Sequence, residues 1–210
     1  MIVSEAIDLL QESELKQLKV KDNKVAILGY INMGILELYK RFVLWQAEAV
    51  LTMTTDKYLY SLDGTDPDVA MDLSDHYFLQ VDEVWDEDGD GLSINDESDP
   101  LGVATPKFNQ IEIPPIGWTL DAQLSMVYRA APKFLAHEKE EVPLPPQFFE
   151  ALFHYVGFRG HAGVKDVDPN RNNSNPHYKR FERSCDRIKM EGLYTEDSLN
   201  SSKFENRGFV

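Results

Sequence analysis

The spacing of apolar residues changes character twice along the chain. Near the N-terminus, Ile7, Leu9 and Leu10 predict a helix over Val3 to Glu14, with Ser4 as its candidate cap. A longer helix is expected after Asp22, whose carboxylate can accept a hydrogen bond from a free backbone N–H. There Val25, Leu28, Ile31, Ile35, Leu38, Tyr39 and Phe42 step by threes and fours into one apolar stripe. Gly29 and Gly34 weaken this helix by about 1 kcal/mol each relative to alanine, so close packing is expected there.

Beyond Phe42 the period shortens to two. Ala47, Ala49, Leu51 and Met53 alternate with Glu48, Val50 and Thr52, and Tyr58, Tyr60 and Leu62 alternate ahead of the breaker run DGTDPD. Phe78 to Trp85, Leu92 to Ile94, Phe108 to Ile113 and Leu124 to Tyr128 read as further short strands between turn signals. Such spacing suggests a small antiparallel sandwich or barrel.

Helix returns at VPLPPQFFEALFHYVGFRGHAG, where Pro145 and Pro146 suit a helix start because their missing N–H groups would have no partner there. Phe149, Leu152, Phe153 and Val156 are the expected buried stripe, and Gly157, Gly160 and Gly163 leave one face bare enough for another helix. A last helix is predicted from Pro176 to Met190, with Tyr178, Phe181, Cys185 and Ile188 on its apolar face and Arg180, Arg183 and Arg187 beside them. Gly192 ends it, and LYTEDSLNSSKFENRGFV reads as a flexible arm. The expected fold is α+β. The segments 1–43 and 145–192 form a helical bundle, an antiparallel β-sandwich or barrel is inserted over 44–144, and 193–210 is a C-terminal arm.

Charge sharpens this picture. The 210 residues carry a net −15, with 42% hydrophobic and 27% charged side chains. Between Thr54 and Pro100 there are fifteen acids against one base, Lys57, whereas Arg159 to Met190 holds eight bases against four acids. The plain reading is two solvated faces, and the sharper one is contact with partners through opposite charges. Acidity on this scale argues against gripping nucleic acid by phosphate neutralisation. No apolar run approaches a membrane span, and the acids within the first apolar stretch are unlike a secretory signal. The lone Cys185 excludes an internal disulfide and a cysteine-rich zinc site, and fits a reducing cytoplasm.

One motif stands out. DEDGDGLSINDE, Asp86 to Glu97, fits the calcium-loop pattern, with Asp86, Asp88 and Asp90 at positions one, three and five and Glu97 closing the site. An EF-hand needs a helix on each side, but FLQVDEVW precedes the loop and SDPLGVATP follows it. The competing reading is a hairpin tip in which Gly89 and Gly91 supply positive φ angles. A calcium-binding β-module remains the alternative function that this motif supports.

His154 and His161 share a predicted helix face but stand two turns apart, and His137 and His177 have no local carboxylate pattern to complete a metal site. They read as surface or packed histidines. No catalytic residue, cofactor-binding residue or metal-ligand set can be named from the sequence.

A wider pattern carries more. LSMVYRAAPKFLAHEKEEVPLPPQFFEALFHYVGFRGHAG joins a strand to a V-P-L-P helix start and an aromatic-rich helix. Upstream, an amphipathic helix precedes KYLYSLDGTDPDVAMDLSDHYFLQVDEVWDEDG, a strand, a loop, a second strand and an acidic turn. Over roughly residues 1–192 this order resembles the head-to-tail adaptor (connector) proteins of tailed bacteriophages, the tail tubular protein A type. The resemblance implies a structural virion protein, not an enzyme and without a cofactor, located at the neck and assembled in the host bacterial cytoplasm. It implies a twelvefold ring of copies beneath the portal protein, a tail tube or nozzle protein as the second partner, genomic double-stranded DNA passing through without sequence-specific binding, and no membrane. By position, Lys179, Arg180, Arg183 and Arg187, with Phe204, Phe209 and Val210 of the arm, would face the portal. The β insertion would face the tail side or the channel.

Overall fold

The computed structural model describes residues 1–114, 118–162 and 174–192. The protein is α+β, and it divides into two compact units: Met1–Val43 with the chain from Phe134 onward, and Leu44–Lys133. The first is helical. It contains α1 (Val3–Glu12), α2 (Lys24–Arg41), α3 (Phe149–Ala162) and α4 (Ser174–Met190), with short 3-10 turns at Lys19–Asp22 and Pro146–Phe148.

Both N-terminal helices start differently from the sequence expectation. Ser4 is not the cap of α1. The N–H groups of Val3 and Ser4 instead donate to the carbonyls of Glu140 and Glu138, both at 2.9 Å, while Glu5 accepts from the Ile2 N–H. A backbone segment more than 130 residues away therefore satisfies the donors that a cap would have taken. In α2 the cap is Asn23, whose Oδ1 accepts from the Ala26 N–H at 3.1 Å, because Asp22 is drawn into the preceding 3-10 turn.

The core of the helical unit forms where apolar stripes meet. Val3, Ala6, Ile7 and Leu10 of α1, Ile27, Ile31, Ile35 and Leu38 of α2, Ala151, Leu152 and Val156 of α3, and Phe181, Cys185 and Ile188 of α4 are buried. Val25, expected on this stripe, is 82% exposed, and Ile27 takes the inward position. Phe148 meets Phe42 edge-on, with ring centroids 5.0 Å apart. Gly34 lies against Leu152 and Tyr155, a close approach of α2 to α3, and Gly160 lies against Leu15 and Leu18 of the turn after α1. Gly29 faces open space. Asn32 clasps the connecting segment by accepting from the Leu135 N–H and donating to its carbonyl.

The second unit is built on β1 (Gln46–Thr52), β2 (Leu59–Ser61), β3 (Val69–Ala70), β4 (His76–Trp85), β5 (Ala104–Lys107), β6 (Gln110–Glu112) and β7 (Gln123–Pro132). All pair antiparallel, in a four-stranded sheet ordered β3-β1-β7-β4 and a three-stranded sheet ordered β2-β6-β5. Alternation in β7 sends Leu124, Met126, Tyr128 and Ala130 inward, where they join Leu51, Tyr60, Val84, Val103 and Ile111 in one core shared by the two sheets. β3 and β5 are additions to the strands expected from the sequence. Leu92 to Ile94 is not a strand, since only isolated bridges pair Trp85 with Gly91 and Ile94 with Val103.

Candidate functional site

Surface charge separates between the units. By sequence, residues 44–133 hold eighteen acids and four bases, a net −14, and the remainder holds eighteen acids and seventeen bases, a net −1. The acidity of the whole chain therefore resides almost entirely in the β unit.

Part of that acidity is structural. Lys57 reaches Asp66 at 2.5 Å and Asp68 at 2.6 Å, and Asp66 also accepts from the N–H groups of Ser61 and Asp68. Asp82, 8% exposed, holds Arg129 at 2.9 Å. These carboxylates organise the DGTDPD loop and tie β4 to β7. Of the rest, Glu83, Asp86 and Asp99 are half-buried and the others are exposed.

The Asp86–Glu97 motif forms a turn at the end of β4. The Asp86 N–H donates to the Asp90 carbonyl, the Leu92 N–H donates to Val84, and the Asp86 carboxylate accepts from the N–H groups of Asp88 and Asp90. Gly89 has φ +84°, whereas Gly91 does not adopt positive φ and instead packs under the Trp85 ring. A strand rather than a helix enters the loop, and its carboxylates do not converge on a common point.

On α4, Lys179, Arg180 and Arg183 are exposed. Arg187, the fourth member of the predicted basic face, is paired with Glu150 of α3. Arg41 sits where α2 meets α4. It reaches Glu182 at 2.9 Å and Glu37 at 2.8 Å, and its guanidinium lies 4.7 Å from the centre of the Phe181 ring. The hydrogen bond from Arg41 holds the Glu182 carboxyl below its usual range. Cys185 is a core residue as expected, its thiol pushed up to about 11 mainly by burial. Phe204, Phe209 and Val210 lie outside the described residues.

The histidines correct the sequence reading most sharply. Glu14, just after α1, reaches His177 Nδ1 of α4 at 2.7 Å and His154 Nδ1 of α3 at 3.3 Å. His161 stacks on His177 with ring centroids 4.6 Å apart, and its Nε2 lies 3.2 Å from the Glu14 carbonyl oxygen. The contact with His154 is the main influence holding the Glu14 carboxyl below its ordinary range, while burial lowers the His177 pKa despite the carboxylate beside it. His177 does therefore have a carboxylate partner, supplied from 163 positions away in sequence. No local pattern could have shown it. Gly157 is the one sequence signal near the cluster, because a Cβ there would stand 2.8 Å from His177 Nδ1 and 3.2 Å from Glu14 Oε2.

In the β unit, His76 was passed over in the sequence. It is 5% exposed and fixed between Asp75 Oδ1 at 2.5 Å and the Tyr128 hydroxyl at 2.8 Å.

Helical and β units of contrasting charge, with a basic helix face and buried ion pairs that fix their elements, suit a protein that works by binding other proteins. The family model of the SU10 adaptor protein matches residues 2–202, and the chain belongs to that family. Membership agrees with the resemblance to tailed-phage head-to-tail adaptors and gives the protein the structural role of a phage adaptor. No curated protein matches the sequence. Among the described residues, no helix is long and apolar enough to cross a membrane.

Proposed function

We propose that this protein is the head-to-tail adaptor of a tailed-phage virion, forming a ring under the portal that joins capsid to tail and lets genomic DNA pass. The family match over residues 2–202 carries this reading. The division of charge supports it. Many copies of a −14 unit around a ring would build a negative field that weakens adhesion of DNA, although salt screens that field beyond roughly 8 Å.

In this reading Lys179, Arg180 and Arg183 meet the portal, and Phe204, Phe209 and Val210 anchor the arm there. Arg187 contributes less because Glu150 already engages it. Many copies in one ring let weak single anchors act together to hold it. The β unit meets the tail tube or nozzle protein. Its exposed Phe108, at the turn between β5 and β6, and Leu120 supply apolar contact amid the acids.

Native mass spectrometry of the protein mixed with the portal protein of the same phage tests the reading, in the presence of calcium and of a chelator. A discrete complex of many copies on one portal ring, indifferent to added calcium and lost on deletion of residues 199–210, is the expected result. Failure to bind the portal would remove the adaptor reading. Intact binding by the truncated chain would remove the anchoring role of the arm. One calcium per chain without a portal complex would favour the calcium-module alternative.

A further inference from the structure

We propose that Glu14, His154 and His177 form a binding site for one divalent transition-metal ion, zinc fitting best, which ties the end of α1 to α3 and α4. Among the described residues, theirs is the group whose ligand atoms converge, all within 4.8 Å of one another. His177 Nδ1 and His154 Nδ1 are both shut off from solvent, and neither has a partner in hydrogen-bonding alignment, although each faces a Glu14 oxygen at 2.7 and 3.3 Å. Two ring nitrogens and a carboxylate brought this close are favoured when a proton or a metal ion lies between them.

Protons are the obvious candidate, but a ring proton on either Nδ1 does not lie in line with Glu14. A metal ion has no such difficulty. It takes neutral imidazole and ionised carboxylate, and zinc is bound by two histidines and one glutamate in known catalytic sites. Tetrahedral zinc with bonds of about 2.0–2.1 Å sets its ligand atoms roughly 3.3 Å apart. His154 faces Glu14 Oε1 at 3.3 Å and His177 faces Oε2 at 2.7 Å, so an ion between the rings needs only a small adjustment of the Glu14 carboxylate.

The surroundings are those of a metal site. Glu150 Oε1 stands 3.7 Å from His154 Nε2, on the side from which a carboxylate, once closer, orients a metal-bound imidazole. His161 braces the other side, stacked on His177. The space exists because residue 157 is glycine, since any side chain there would intrude on two of the three ligands.

The full-length, tag-free protein, stripped with chelator, would be titrated with Zn(II) by calorimetry and with Co(II) by visible absorption. One ion per chain is expected, with cobalt showing tetrahedral d–d bands and zinc raising the thermal midpoint of the helical unit. His177→Ala and Glu14→Gln should each weaken binding by more than about 100-fold, since loss of an outer-shell group alone costs 10- to 100-fold. Gly157→Ala should do so without removing a ligand, and His137→Ala, at an exposed histidine, should leave binding unchanged. No stoichiometric binding by the unmutated chain would overturn the site, whether or not the variants fold. Binding that survives loss of either histidine would do the same.

Discussion

Two glycines on one helix allow packing to be separated from helix propensity. Gly29 and Gly34 both lie inside α2, and replacing either by alanine gains about 1 kcal/mol of helix propensity. At Gly29 a new Cβ meets nothing within 4 Å, so Gly29→Ala should stabilise the helical unit by about that amount. At Gly34 the Cβ would sit 2.6 Å from Leu152 Cδ1 and 3.1 Å from Tyr155 Cδ1. Leu152 is fully buried and has little room to step aside, so overpacking of about 1–3 kcal/mol should cancel or exceed the gain. The difference between the variants is then the packing term alone. Among the described residues all four α-helices belong to the helical unit, so far-UV circular dichroism follows it selectively. Thermal midpoints should separate by several degrees, at about 2–4 °C per kcal/mol for a chain of this size. Equal upward shifts for both variants would refute the close approach of α2 and α3.

The β unit offers an independent probe, because Trp45, Trp85 and Trp118 all fall within it. Tyr128→Phe removes the partner of buried His76 Nε2 and should destabilise this unit by about 1–3 kcal/mol, read from tryptophan fluorescence in urea; an unchanged midpoint would mean the contact contributes nothing. In the helical unit, Glu182 is held below its ordinary pKa by Arg41, so the pair stabilises fully above the unfolded carboxyl value near 4.5. That contribution is lost as pH falls through the folded value, so the helical midpoint should drop below about pH 4.5. Glu182→Gln should lower the midpoint at neutral pH and flatten the acid decline, and an identical acid profile in the variant would exclude Arg41–Glu182 as a source of the pH dependence.

The sequence conveyed what is local and little of what is distant. Period 3.6 around Ile31, Ile35 and Leu38 and period 2 around Leu124, Met126 and Tyr128 mark the helical and β regions because burial repeats with backbone geometry. The two-residue β3 is too short to display a period, and it exists because Val50 and Leu51 of β1 offer Ala70 and Val69 an edge to pair with. The cap of α1 was illegible for a similar reason, since the Glu138 and Glu140 carbonyls fill that role from more than 130 residues away. The basic face of α4 was visible as a stripe, but the removal of Arg187 by Glu150 was not. Glu14 carries no mark in sequence of the two histidines it meets.

The strands that carry the chain into and out of the β unit are neighbours. Gln46 of β1 pairs with Arg129 of β7, and the Trp45 carbonyl accepts from the Ala130 N–H at 3.0 Å. Before it folds, Leu44–Lys133 is a 90-residue loop that α2 and α3 must close in order to meet. Holding the ends of such a loop together costs roughly 4 kcal/mol of chain entropy, before any constant term. Once β1 and β7 have zipped, both ends are already a strand spacing apart, about 4.8 Å, and most of that penalty has been met. During synthesis the β unit leaves the ribosome ahead of α3, so it can fold first with the ends of its chain already side by side. Weakening the β1–β7 ladder should therefore slow the folding of helices that it need never touch.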